Sequence, residues 1–291
     1  MKNLAALYTC HNRREKTLKS LESLYKSQKN SKAKFKLDIY LTDDGSTDGT
    51  SEEVKKRFPE VHLIQGDGNL FWAEGMRKSW LRALDKEYNG FLLLNDDVEI
   101  YENIFDQLFA CHQYSLKNYQ KAGIYIGPTE DKFLNKLTYS GSLVLNKFLY
   151  TTKRLPPTGE FQICDLANAN IMLVSNSVVQ EIGIFTEGYS HAAADYDYTL
   201  TASRKGIPVL ICREYCGHCE DDHRDTYENF ETISLAERKK ILNNPTGIAF
   251  KSRKKYMKKF FPLRYPFFVF FGYFKLYFPR VYKTVILAGR R

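Results

Sequence analysis

The chain opens on "NLAALYT", residues 3–9, an almost unbroken apolar run closed by the polar turn "CHNRRE". A short run of this kind, bounded by turn residues, predicts a buried strand. Residues 16–27 carry Leu18, Leu21 and Leu24 at helical spacing, and "KLDIYLT" (36–42) predicts a second strand. "DDGSTDGT" is a turn that opens a helix, "VHLIQ" is a third strand, 73–86 a third helix and "GFLLL" a fourth strand. Strands alternating with helices predict an α/β fold with a mostly parallel sheet and crossover helices.

The second half is less regular. Segments 137–150 and 160–174 predict strands, "SNSVVQEIG" a short helix closed by Gly183, 195–205 a helix ending at Gly206, and "IPVLIC" a further strand. Residues 229–291 are helical, aromatic and basic, outside the alternation. The expected organisation is a core domain over 1–228 and a C-terminal extension over 229–291.

In open parallel sheets, ligands gather at the carboxyl ends of strands. The polar clusters of this chain fall there: "TCHNRR", "DDGSTDGT", "GDGNLFW" and "NDDVEI" follow the four strands in turn. Each alone reads as a solvated turn; four in succession point to a binding site. No GxGxxG opens the first helix and no GxxxxGK[ST] occurs, which disfavours a dinucleotide or P-loop site.

These segments, with the later "DYDYTLTASRKG", resemble in order the signature segments of family 2 glycosyltransferases with the GT-A fold. "GDGNLFWAEGM" is similar to the form in bacterial rhamnosyltransferase-like and polysaccharide-assembly members. The resemblance implies that Thr9, Asn12 and Arg13 line a nucleotide site, and that Asp44 accepts a hydrogen bond from a pyrimidine imide. Asn69, Trp72 and Met76 fall where the family's third loop passes nucleotide and sugar; for Trp72 ordinary core packing is the alternative. "NDDVEI" takes the place of the DxD motif. Asn95 and Asp96 then belong to the donor site and Asp97 is the metal ligand for Mn²⁺ or Mg²⁺, cations that favour hard oxygen donors. Asn95, where many members have Asp, departs from the strict motif.

The resemblance also makes Asp195 the catalytic base and Asp197 an acceptor-side carboxylate. Ala194 stands where the family usually has Glu. A plain alternative is an Asp pair that complements a helix N-terminus. His218 sits where members carry a His completing the metal site. Cys212, Cys216, His218, Cys219 and His223 leave a structural zinc site as a rival reading, although their spacing fits no standard knuckle.

Charge is unevenly distributed. Residues 251–291 hold 12 Lys plus Arg and no acid, and removing those 12 from the chain's 43 leaves 31 against 34 acidic residues. The basic excess is thus a local patch, not the spread-out face of a nucleic-acid protein. Basic and aromatic residues without acids suit an anionic membrane surface; a helical appendage or a homo-oligomer contact is the alternative. Six cysteines without a signal peptide suit reduced thiols and a cytoplasmic protein, here peripheral on the inner face of the cell membrane. The expectation is an inverting, metal-dependent transferase. It moves a sugar from a nucleoside-diphosphate donor, UDP- or dTDP-linked and rhamnose among the candidates, to a saccharide or lipid-linked acceptor in surface-polysaccharide synthesis. Rivals are a sugar-phosphate nucleotidyltransferase and a GT-A module that binds without turnover.

Overall fold

The computed structural model describes residues 1–221 and 229–287. The four apolar runs form β1 (Asn3–Cys10), β2 (Lys36–Asp43), β3 (His62–Gln65) and β4 (Gly90–Leu94), linked by helices α1 (Arg14–Asn30), α2 (Thr50–Arg57) and α3 (Phe71–Ala83). β1 pairs in parallel with β2 on one side and β4 on the other, and β2 pairs in parallel with β3. The order 3-2-1-4 reverses between β1 and β4, which makes a topological switch point where ligands of such sheets bind.

The chain continues through β5 (Glu99–Ile100), α4 (Ile104–Tyr119), β6 (Ile124–Ile126), β7 (Thr129–Glu130), β8 (Leu137–Tyr139), β9 (Gly141–Asn146) and β10 (Thr151–Arg154). It then forms β11 (Gln162–Ile163), β12 (Leu166–Ala167), β13 (Ile171–Ser175), α5 (Asn176–Ile182), α6 (Ala194–Arg204), β14 (Val209–Ile211) and β15 (Gly217–His218). Strand β13 enters antiparallel between β4 and β6, and β14 and β11 complete an eight-stranded sheet. Two small sheets sit beside it, β5-β15-β7-β8 and the β9–β10 hairpin with β12.

The period of two along β1 divides its side chains between two cores. Leu4, Ala6, Tyr8 and Cys10 pack with Leu18, Leu21 and Leu24 of α1, whereas Ala5 and Leu7 face Met76 and Trp80 of α3. A strand covered on both faces must be apolar throughout, which is why its run is continuous. Helix α3 comes very close to β1: a Cβ on Gly75 would lie 2.2 Å from Thr9 Oγ1.

Helices α7 (Leu235–Asn243), α8 (Phe250–Phe260) and α9 (Tyr265–Tyr277) follow the sheet domain, and a short α10 (Pro279–Val281) and a π-helical turn (Tyr282–Leu287) come after them. Tyr256, Met257 and Phe260 of α8 belong to the same core as α3 and α6, while Phe230, Leu242, Ile248, Phe250 and Leu276 make a smaller one. The expected domain boundary at residue 228 lies outside the described residues. No described helix is long and apolar enough to cross a membrane.

Candidate active site

The loops after β1 and β2 are tied together by their own polar side chains. Asn12, at φ 51°, accepts from the Thr47 amide (2.8 Å) and donates its own amide to Ser46 Oγ (2.9 Å). Asp43 is buried and accepts from the Ser46 amide and the Ser51 hydroxyl, so the first carboxylate of "DDGS" builds the turn. Asp44, also buried, accepts from the Gly68 and Phe71 amides, both at 2.9 Å. It therefore fixes the third loop against the second, and that is its role in the chain's own architecture. Asn69 lies exposed on that loop in a local turn on Asp67.

The loop after β4 carries the acidic centre. Arg13 Nη1 donates to Asp97 Oδ2 (2.7 Å) and lies 3.3 Å from Asp96 Oδ1. Burial, then the neighbouring Asp97 charge, push the Asp96 carboxyl up to about 7 against the lowering effect of Arg13. Asp96 Oδ2 has no hydrogen-bond partner. Trp72 donates its indole N–H to Asn95 Oδ1 (2.8 Å), its ring tilted against Phe185. Trp72 thus packs on the core and orients the first side chain of "NDD".

Asp195 stands at the start of α6 and is partly exposed. Its carboxylate accepts from the Tyr196 amide (2.8 Å) and the Ala169 amide (3.4 Å), and burial pushes its pKa up to about 6 against these bonds and one from Asn168. A carboxylate so placed is largely ionised at neutral pH and remains basic enough to take a proton. The segment 168–170 also reaches the acidic centre: Asn95 N–H donates to the Asn170 carbonyl, and Asn170 Nδ2 to Cys219 Sγ. Cys219 in turn donates to Asp97 Oδ1 at 3.8 Å. One short strand lead-in therefore positions both carboxylate sites.

The remaining expected residues have the following surroundings. Asp197 is buried and accepts from Thr186 (3.1 Å), Tyr189 (2.8 Å) and Lys259 (2.8 Å). It ties α8 to α6 through Lys259. Met76 is wholly buried in the core, and Thr9 Oγ1 is buried against Gly75 without a partner. The residue placed against Asp97 is Cys219; the His218 ring lies on Tyr101, whose hydroxyl is 3.2 Å from both ring nitrogens and donates to Glu130 (2.6 Å). Successive residues of an extended chain point to opposite faces, so one residue's offset separates the two directions.

For a divalent cation, the described residues present no group of three or more His, Cys, Asp or Glu side chains able to hold one. The zinc reading has the same geometry against it; its His223 is outside the described residues. The Asp96–Asp97 pair, with an unpartnered oxygen and a salt bridge to Arg13, does fit the sparser demand of Mg²⁺ or Mn²⁺, which use one or two carboxylates beside substrate phosphates. An open pocket of about 350 Å³ adjoins Asn12, Arg13 and Asp48 on the same edge.

Residues 7–133 match the family model for glycosyl transferase family 2, a stretch that holds all four strand-end loops and the acidic centre. The chain carries a family 2 glycosyltransferase segment on a GT-A fold. Asp195 and the C-terminal helices lie beyond that match. Among solved structures, S. aureus TarS 1–349 is similar at 15% identity and TM-score 0.51, covering 84% of this chain and 66% of that one. Its complex with UDP-GlcNAc gives 15%, 0.52, 84% and 67%, and its complex with UDP 14%, 0.50, 84% and 66%. The chain thus spans about two thirds of TarS 1–349. None of the curated proteins matches.

Proposed function

We propose that the protein transfers a glycosyl unit, with inversion, from a UDP- or dTDP-linked sugar to a saccharide or lipid-linked acceptor in cell-surface polysaccharide synthesis. The observation that carries this reading is Asp195, a partly exposed carboxylate with its pKa raised to about 6, held by the 168–170 segment that also supports Asn95 and Cys219 beside Asp97. The TarS complex with UDP-GlcNAc supports a uridine donor, and the similarity of "GDGNLFWAEGM" to rhamnosyltransferase-like members keeps rhamnose among the sugars.

In this mechanism the acceptor hydroxyl gives its proton to an Asp195 carboxylate oxygen as its own oxygen bonds to the anomeric carbon. The bond from that carbon to the diphosphate breaks with its electron pair leaving on the nucleotide. A single displacement through an oxocarbenium-like state inverts configuration. Asp97, with Asp96 and Asn95 beside it, would hold Mg²⁺ or Mn²⁺ at the donor diphosphate; the cation offsets the charge that grows on the leaving group. Arg13 would share the donor's phosphates with the acidic centre, and Asn12 ties the first two loops together.

The test is nucleoside diphosphate release from a panel of nucleotide sugars with oligosaccharide or polyprenyl-linked acceptors. Turnover in the wild type that drops about 10² to 10⁴-fold in Asp195→Asn, with donor affinity kept, supports the reading. Equal turnover in both removes Asp195 from the role of base.

A further inference from the structure

Two acid-free segments, distant in sequence, meet on one surface. The inner side of α9 is occupied: Phe268 lies tilted against Phe250 (5.4 Å), and Gly272 and Leu276 are buried. Its other side leaves Phe267, Phe270 and Phe278 more than half exposed, with Leu263 ahead of the helix at 75%. Phe270, Phe274 and Phe278 follow each other at ring separations of 5.8 and 5.5 Å, a continuous aromatic ridge. The tip of the β9–β10 hairpin adds Leu145, Phe148 and Leu149, each more than half exposed. The two are joined: Phe148 and Phe267 make an edge contact at 6.4 Å, and Arg264 donates to the Phe148 carbonyl at 3.2 Å.

We infer that the hairpin tip and the outer side of α9 form one bilayer-docking surface for an anionic membrane, which brings Asp195 to a lipid-linked acceptor. The charge pattern selects this occupant. By sequence residues 251–291 hold 12 basic and no acidic residues, of which Arg290 and Arg291 lie outside the described residues and Lys259 and Lys283 are paired with Asp197 and Glu231; 141–154 hold Lys147, Lys153 and Arg154 and no acid. Two copies would bring like charge to like, whereas an anionic headgroup layer is complementary and each Lys or Arg near it contributes about 1 kcal/mol. At 13 residues, α9 is about 20 Å long, too short to span the roughly 30 Å hydrocarbon core, so it lies in the interface.

The hairpin also connects this surface to the proposed base. Tyr150, two residues beyond Phe148, donates to the Tyr256 hydroxyl (3.1 Å) and lies close enough to Asp195 for its charge to add to the effect of burial in raising the phenol pKa. A headgroup-level acceptor would thus meet the hairpin before it meets Asp195. The choice of acceptor rests on the glycosyltransferase reading; the docking surface does not.

Co-sedimentation with vesicles of phosphatidylcholine alone, or with one quarter phosphatidylglycerol, tests the inference. The wild type should bind the anionic vesicles, lose binding as salt rises, and bind neutral ones weakly. Phe148→Ser/Leu149→Ser and Phe267→Ser/Phe270→Ser should each weaken binding at least about tenfold, since each removes two side chains of appreciable transfer energy. Circular dichroism and UDP affinity should be unchanged. Lys147→Glu, which leaves the apolar contacts in place, should weaken anionic-vesicle binding about tenfold. Full vesicle binding by the hairpin variant overturns the shared surface. Absence of vesicle binding, with a light-scattering dimer that Phe267→Ser/Phe270→Ser dissociates, assigns the face to a second copy. Vesicle binding without UDP binding keeps the surface and removes the donor reading.

Discussion

Arg13 and Asp97, 84 residues apart, meet at 2.7 Å across the switch point between β1 and β4. The guanidinium offsets two adjacent carboxylates, one of them raised to about 7 by burial and its neighbour. Removing it should leave the pair under-compensated. Because the Arg13 side chain is 43% exposed, solvent screens part of the effect. Arg13→Met should therefore cost about 1 kcal/mol, roughly 2 °C in Tm. Mg²⁺ with UDP should shrink that deficit by supplying positive charge at the same place. A deficit that thermal unfolding finds unchanged by both ligands would show that Arg13 does not stand in for the cation.

The Asp195 shift sets a pH dependence with a definite sign. A general base works deprotonated, so kcat/KM should fall tenfold per unit as pH drops below about 6 and level off above it. Asp195→Asn should lack that limb. The same shift acts on stability in the opposite sense. With an unfolded value of about 3.9 and a folded value of about 6, the folded state holds the proton longer, so stability falls as pH rises between them. Asp195→Asn should then unfold at higher urea than the wild type at pH 7.5. A helix-start Asp kept for its dipole would give a less stable Asn variant.

Asp197 should respond as a clamp. Its carboxylate is buried under Tyr189, Thr186 and Lys259. Asp197→Ala leaves those donors facing an apolar void and should cost about 3 kcal/mol. Lys259→Met, at a half-exposed position, should cost less. The folded fraction of either should keep its kcat, which active-site titration alongside denaturation would show; a kcat loss in stably folded Asp197→Asn would support the acceptor-side role.

Gly75 should not accept a side chain. An added Cβ meets Thr9 Oγ1 at 2.2 Å between two rigid elements, so Gly75→Ala should destabilise by about 1–3 kcal/mol. Thr9→Ala in the same chain removes the hydroxyl and should recover part of it. Additive losses in a double-mutant cycle would place the strain elsewhere.

These residues also mark what the sequence could convey. The runs "NLAALYT" and "GFLLL", buried on both faces, and the four polar clusters after their strands are local signals, and the fold and the acidic centre follow from them. Helix α1 (14–30) runs past its expected 16–27 at both ends, whereas α3 (71–83) starts before and stops short of its expected 73–86, as element ends do when caps and not periodicity decide them. Side-chain direction was not local. Asp195 and Asp197 differ by two positions, about 200° around a helix, and only the packing of α8 shows that the second turns inward. That Cys219 lies beside Asp97 and His218 on Tyr101 depends on the short β15, whose pairing with β5 and β7 no residue pattern announces. "NAN" at 168–170 has no periodicity, and its importance appears only through bonds to Asp195, Asn95 and Cys219. The alternation of β9 and β10 held no sign that their tip would meet α9.

The central claim, a nucleotide-sugar donor site at the end of β4, is tested most directly by calorimetric titration of UDP, dTDP, GDP and ADP into the protein with Mg²⁺ or Mn²⁺, repeated in EDTA and in Asp97→Ala. The account predicts binding of a pyrimidine diphosphate that needs the cation and is lost in the folded variant. Binding of none of the four by folded wild type, or equal binding in Asp97→Ala, would contradict it.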